Sequence, residues 1–244
     1  MRTIAIVPAA GTGERMGNNR KKPYLLLNER PLLYYTLTAL ASTPSIAQII
    51  VAVAPGDEEF CQQQVLEKFH FKKNIQIIAG GSSRQESVSR LLERVPDEAH
   101  LVLVHDGARP LITSELLEQA IAETRMWKAT VLAVPVKDTI KAANDALQIE
   151  KTISRERLWA IQTPQTFERS IIGKAHQRAR QQGFIGTDDA ALVERIGVQV
   201  KIVMGSYVNI KVTTPEDLIV AEALLKKRRN NRRDRRERRD KLFR

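Results

Sequence analysis

The sequence predicts an α/β protein built on a mostly parallel, twisted sheet flanked by helices. Three observations support this. Aliphatic, β-branched runs recur along the chain, several of them continuously apolar, as strands covered on both faces are. Helix-patterned stretches lie between them, and strand–helix alternation gives a parallel sheet. The 244 residues are 43% hydrophobic but only 5% aromatic, so the core is mainly aliphatic.

The elements follow in order. "TIAIVP" (3–8) is the first strand, trailed by the glycine-rich "AAGTGERMG" (9–17) and a helix over "RPLLYYTLTALAS" (30–42). "AQIIVAVA" (47–54) precedes a helix over 57–69, and "NIQIIAG" (74–80) precedes one over 82–95, with Ser82 or Ser83 as its cap. "HLVLVHD" (100–106) leads to a helix over 113–127, and "ATVLAVPV" (129–136) and "VQVKIVMG" (198–205) are further strands. In "TTPEDLIVAEALL", Thr214 caps a helix, Pro215 takes its first position and Asp217 completes a capping box. Ligands of such sheets gather outside the C-terminal strand ends, which places "PAAGTG", "AGGSSR" and "HDGARP" at one edge. Residues 137–160 break the alternation. They are polar with a turn-like "AND" and read as a projecting hairpin, although an ordinary long surface loop fits the composition equally well.

Composition narrows the function classes. A single cysteine, Cys61, allows no intrachain disulfide and fits a reducing compartment. No signal-like segment opens the chain and no apolar stretch is long enough to span a bilayer, so a cytoplasmic protein without membrane partners is expected. The net charge of +11 suggests nucleic acid, but residues 226–244 alone hold twelve Lys/Arg against three Asp/Glu, and the remaining 27 basic and 25 acidic residues leave the body only +2. Two units follow: a single domain over 1–225, with an arm at about 137–160, and a basic, poorly ordered tail over 226–244. Arg-rich tails can bind polyanions nonspecifically, so the tail offers either that or a merely solvated extension.

The loop at 9–17 poses the chemical question. A P-loop needs a lysine–hydroxyl pair after its last glycine, and none is here. The dinucleotide fingerprint needs a third glycine one position earlier than Gly17. What remains is a run of bare backbone amides near Arg15 and Lys22, suited to anchoring phosphates and stabilising charge on a transferring phosphoryl group. A glycine-rich turn with solvated charges is the plainer alternative.

"PAAGTGERMG", Lys22, "AGGSSRQESV", "VLVHDGARP", "VPVKDTIK", "LWAIQTPQTF", "GTDDAALVE" and "NIKVTTPEDL" occur in that order. This series resembles the 2-C-methyl-D-erythritol 4-phosphate cytidylyltransferase family of the non-mevalonate isoprenoid pathway, from residue 3 to about 225. The resemblance implies a Rossmann-like nucleotidyltransferase fold and transfer of CMP from CTP to methylerythritol phosphate with release of pyrophosphate. The attacking phosphate oxygen is already anionic, which suits a site rich in Lys and Arg with no Ser-His-Asp set. By the same resemblance Arg15, Lys22 and Lys211 stabilise the reacting phosphates. Pro8, Ala9, Ala10, Gly11, Gly81, Ser82, Ser87 and Asp106 bind CTP. Asp106, Arg109, Thr163, Thr187 and Lys211 bind the acceptor, joined by Thr139 and Arg155 from the arm of a second subunit in a homodimer. Lys21 competes with Lys22 for its role, and Thr187 is also a candidate helix cap. Mg2+ is implied, with Asp106 as its protein ligand, since magnesium binds through substrate phosphates plus one or two carboxylates. Ribitol-5-phosphate cytidylyltransferases share this chemistry but tend to begin L-A-G-G, where this chain has Pro8-Ala9-Ala10-Gly11.

Overall fold

The computed structural model describes residues 1–11 and 21–242, the last twelve as backbone alone. Arg15 therefore lies outside the described residues. The chain runs β1 (Thr3–Pro8), β2 (Leu26–Leu27), β3 (Arg30–Pro31), α1 (Leu32–Ala41), β4 (Ile46–Val53), α2 (Glu58–Cys61) continuing into a π-helical segment Gln62–Glu67, β5 (Ile75–Ala79), α3 (Arg84–Leu92), β6 (Leu101–Val104) and α4 (Ser114–Trp127). Then come β7 (Ala129–Pro135), β8 (Ile140–Ala143), β9 (Ile149–Ile153), β10 (Trp159–Glu168), α5 (Arg169–Gln181), α6 (Asp189–Arg195), β11 (Lys201–Met204) and α7 (Pro215–Leu242).

Seven strands form one sheet in the order β11-β7-β10-β6-β1-β4-β5. All neighbours are parallel except β10, which runs antiparallel to both β6 and β7. The alternating residues of β1 and β4 divide the core. Ala5, Val7, Ile49 and Val51 pack against α1 and α4 through Leu37, Leu40, Leu117 and Ile121. Ile4, Ile6, Ile50 and Ala52 face α3, α5 and α6 through Val88, Leu91, Ile172 and Val193. Both faces being covered explains why these strands are apolar throughout. The chain moves from β1 outward to β4 and β5, then returns to the other side of β1 as β6. That reversal is the topological switch point where α/β sheets hold ligands.

The strand of the seven-stranded sheet missed in the sequence is β10. Its polar residues Gln162, Thr163, Gln165 and Thr166 are nonetheless buried, and its register with β7 shifts between Ile161 and Gln165. Residues 137–160 contain a two-stranded antiparallel hairpin, β8 with β9. Its turn is closed by the Asn144 Oδ1, which accepts from the backbone N–H of Ala146 (3.1 Å) and Gln148 (2.9 Å). Helix α7 starts as the sequence predicts: Asp217 Oδ2 accepts from the N–H of Thr214 at 2.9 Å, and Thr214 Oγ1 accepts from the Asp217 N–H at 3.4 Å. Ala221 and Leu225 dock it on Leu25, Leu27, Leu32, Leu111 and Val212. Beyond residue 225 the backbone continues as helix to Leu242. The segment has no glycine or proline, and arginine and lysine are good helix formers.

Candidate active site

The ends of β1, β5 and β6 surround a cavity of about 390 Å³. Pro8, Ala9, Ala10 and Gly11 form one wall, held by the Ala9 N–H donating to Ala52 O at 2.7 Å. Gly81, Ser82, Ser83, Arg84 and Ser87 form the opposite wall. Gly80 lets the walls approach, since a Cβ there would lie 2.6 Å from the Cβ of Ala10 and 3.0 Å from Ser87 Oγ. Ser87 Oγ accepts from the Gly81 N–H (3.0 Å) and donates to Ser83 O (2.9 Å), which fixes the turn. Ser83 is the cap of α3, with its Oγ accepting from the Glu86 N–H at 3.1 Å. Ser82 instead donates its N–H and its hydroxyl to Glu86 Oε2, both at 2.7 Å.

Lys22 lines the cavity, whereas Lys21 lies in a neighbouring groove and pairs with Asp57 at 2.6 Å. The folded chain thus separates the two lysines that the sequence left as alternatives.

Asp106, just past β6, is the electrostatic centre. Its Oδ1 accepts from Arg84 Nε at 3.1 Å, its Oδ2 pairs with Lys211 Nζ at 2.8 Å, and Arg109 Nε stands 3.9 Å from Oδ2. Burial raises a carboxyl's pKa, but the three cations outweigh it and hold Asp106 well below the usual carboxylate range. Burial likewise draws Arg109 down, against the opposing pull of Asp106.

Three elements fix this arrangement. The Asp106 N–H donates to Thr163 Oγ1 at 3.0 Å. Thr163 Oγ1 lies 3.0 Å from His105 Nδ1, and His105 Nε2 lies 3.4 Å from Arg109 O. The carbonyl can only accept, so Nε2 carries the hydrogen and Nδ1 accepts from the threonine. Burial pushes His105 down to about 4, which keeps the imidazole neutral. Arg109 NH1 donates to Asn209 O at 2.7 Å, and Asn209 Nδ2 donates to Thr163 O at 2.9 Å. The Val212 N–H donates to Ala108 O at 2.9 Å. Lys211 is therefore carried on a segment tied to both β10 and the β6 loop.

Of the residues singled out in the sequence, Pro8, Ala9, Ala10, Gly11, Lys22, Gly81, Ser82, Ser87, Asp106 and Lys211 all line this one cavity. Arg109 and Thr163 are buried just behind it. Thr187, Thr139 and Arg155 are exposed and outside it. Thr187 does not cap α6; Asp188 does, its Oδ1 accepting from the Ala191 N–H at 2.9 Å. A carboxylate is a strong N-cap acceptor, and the adjacent aspartate was overlooked. Arg155 donates to the carbonyl of Lys137 at the base of the arm. Arg84 and Asp189 were not distinguished in the sequence, although NH1 of Arg84 sits 2.8 Å from Asp189 Oδ2.

Among the described residues no three His, Cys, Asp or Glu side chains cluster as a metal site. A single ionised carboxylate at the cavity edge fits a hard divalent ion that takes its other ligands from phosphates and water. Among the described residues the rest of the lining is cationic, hydroxyl-bearing or apolar, with none of the thiolate or imidazole donors that softer metals prefer.

Comparison with known proteins agrees with this geometry. Residues 3–227 match the IspD family, 2-C-methyl-D-erythritol 4-phosphate cytidylyltransferase. A relative of that description from Desulforamulus reducens is 49% identical over 225 residues, covering 92% of this chain and 96% of its own. One from Caldanaerobacter subterraneus is 48% identical, covering 93% and 100%. The crystal structure of 4-diphosphocytidyl-2C-methyl-D-erythritol synthase from Anaerococcus prevotii superposes with a TM-score of 0.81 at 35% identity, covering 92% of this chain and 96% of that one. The Thermus thermophilus cytidylyltransferase gives 0.76 at 34%, covering 92% and 98%. The cavity at the switch point, its ring of cations around Asp106 and these matches over nearly the whole chain lead to one conclusion: the chain belongs to the 2-C-methyl-D-erythritol 4-phosphate cytidylyltransferase family.

Proposed function

We propose that this cavity holds CTP and the phosphate end of 2-C-methyl-D-erythritol 4-phosphate, and that the chain transfers CMP between them. An acceptor phosphate oxygen attacks the α-phosphorus. The bond from that phosphorus to the bridging oxygen of the β-phosphate breaks, and pyrophosphate leaves with the electron pair. The observation that carries the reading is the clustering of Lys22, Arg84 and Lys211 around a cavity walled by backbone of 8–11 and 81–83.

The nucleophile is anionic near neutral pH, so no base is needed. His105 suits no such role, being fully buried, neutral and bonded to Thr163. The chain's task is to bring two anions together in line and stabilise the charge on the equatorial oxygens. Lys22 and Lys211 are placed for that, with Arg15 assigned by family resemblance. The exposed amides of the 8–11 and 81–82 turns suit the pyrimidine edge. Asp106 suits the ribose and acceptor hydroxyls and a Mg2+ ion, which when bound neutralises phosphate charge. Arg109 and Thr163 support the acceptor side.

The same proposal extends to assembly. Thr139 and Arg155 are exposed on the arm and outside the chain's own cavity, so they serve the acceptor phosphate of a neighbouring subunit in a homodimer. The basic end of α7, with twelve Lys/Arg over 226–244, gives the enzyme a nonspecific affinity for polyanions. No described helix is long and apolar enough to cross a membrane, and a cytoplasmic location fits the single reduced cysteine.

Pyrophosphate release from CTP tests the reading. Turnover is expected with methylerythritol phosphate and little with ribitol 5-phosphate. Preference for ribitol phosphate would reject the acceptor assignment, and no release with either would reject the reaction.

A further inference from the structure

Asp189 is 1% exposed, yet it is ionisable and lies off the cavity. Its Oδ1 bonds His176 Nε2 at 3.0 Å, and His176 is itself buried on α5. Its Oδ2 contacts Arg84 NH1 at 2.8 Å. Arg84 in turn lines the cavity and holds Asp106 through Nε at 3.1 Å. A continuous row of polar groups therefore runs from α5 through the start of α6 to the reacting edge of the sheet.

Such a row is not explained by stability. Burying an ion pair commonly gains little over apolar residues of the same volume, because desolvation offsets the attraction. Burial alone would raise Asp189, but Arg84 and His176 hold it below the usual carboxylate range. The pair makes more sense as a constraint on where one side chain points. Arg84 is long, partly open to the cavity and close to where an anionic nucleotide would sit. Untethered, it could turn to the phosphates and hold substrate and product equally well, a form of binding that gives no rate.

We propose that Asp189 is a positioning residue, one that commits the Arg84 guanidinium to Asp106 and so sets the direction of that carboxylate for the acceptor and ribose hydroxyls. This rests on the cytidylyl-transfer reading above. The guanidinium is needed for its planar fork, which reaches two carboxylates at once; a lysine ammonium is a single point charge on a flexible stem. His176 is the outer brace, keeping the Asp189 carboxylate turned toward Arg84.

The test uses the full-length enzyme and the variants Asp189→Asn and Arg84→Lys. The asparagine keeps the shape and can still accept from His176. Both are expected to lower kcat by about tenfold to a hundredfold, the scale of a displacement of about 1 Å at a reacting centre. KM for the acceptor should rise by a similar factor. CTP affinity by calorimetry should stay within about threefold, or tighten in Asp189→Asn as Arg84 is released to the phosphates. Asp189→Asn should also speed solvent exchange of the Arg84 Nε–H measured by NMR, a readout independent of turnover. His176→Gln, which retains a donor, should soften the effect relative to His176→Phe. Wild-type kcat and acceptor KM in Asp189→Asn would overturn the proposal. So would an equal loss of affinity for both substrates, full activity in Arg84→Lys, or unchanged Nε–H exchange. An inactive wild type would instead count against the transfer reading, while the exchange measurement still decides the tether.

Discussion

The cavity wall and the arm are built on opposite terms. At the wall, Asp106 is almost fully buried, meets cations from the α3 turn, its own loop and the 209–213 segment, and has its backbone fixed by Thr163. On the arm, Leu147 is 88% and Ile149 66% exposed. The β8–β9 pair forms its own two-stranded sheet, separate from the seven-stranded one. An isolated two-stranded hairpin is at best marginally stable in water. The contrast teaches that the described residues of a single chain brace the cavity wall from several sides, whereas the arm leaves apolar side chains exposed that its own fold does not cover.

The hardest blow to the wall is Lys22→Ala. With the phosphates deprived of one positioned cation, turnover should fall at least about a hundredfold, the cost of one lost oxyanion donor. The melting temperature should hardly move, because Lys22 is half-buried at the cavity wall and outside the apolar core. Near-normal turnover would move the role elsewhere, and Lys21, paired with Asp57, is poorly placed to take it.

Mixing variants tests the arm. Lys22→Ala and Arg155→Ala should each be nearly inactive alone. After equal mixing and confirmed subunit exchange, half of the dimers should be mixed, with one site carrying both lesions and the other neither. Activity then returns to roughly a quarter of wild type by two-fold statistics. No recovery despite exchange would show that the arm serves its own chain.

Smaller effects sharpen the same contrast. Truncation after Leu225 retains Ala221 and Leu225, the contacts that dock α7. Turnover should stay within about twofold, while salt-sensitive retention on a polyanion column should weaken. A collapse in turnover would join the tail to the wall. At the arm tip, Leu147 adopts a left-handed φ of 60°, which glycine tolerates better. Leu147→Gly should change the stability of the isolated subunit by less than about 0.5 kcal/mol. If the tip packs on a partner, the dimer dissociation constant rises instead.

Much of this was legible in the sequence, and the gaps have physical causes. Strands such as β1 and β4 announce themselves because both faces are covered. Strand β10 does not, since its buried glutamines are satisfied by side chains distant in sequence: Gln165 donates to Asp188 at 2.7 Å, and Gln162 accepts from Asn209 at 3.2 Å. Helix α5 buries Ile172, Ala175, His176 and Ala179, a helical spacing obscured by the surrounding Arg and Gln. The glycine turns, Lys22, Asp106 and Lys211 were legible through motif resemblance. Arg84 and Asp189 were not, because their meaning lies in a contact between residues more than a hundred positions apart.

The placement of β10 also governs when the molecule can exist. Strands β6 and β7 never pair with each other; each pairs with β10, which follows both in the chain. A nascent polypeptide ending between Pro135 and Glu168 therefore carries the four strands β6-β1-β4-β5 and a lone β7, with open edges and no seam between them. Synthesis at about 5–20 residues per second leaves those edges bare for a few seconds, the interval in which unpaired strands invite mis-pairing. Thr163, which fixes Asp106, arrives with that seam. Joining of β6 to β7 and fixing of the Asp106 backbone are consequently one event in biosynthesis, while Lys211 reaches the wall only later, with the segment that follows β11.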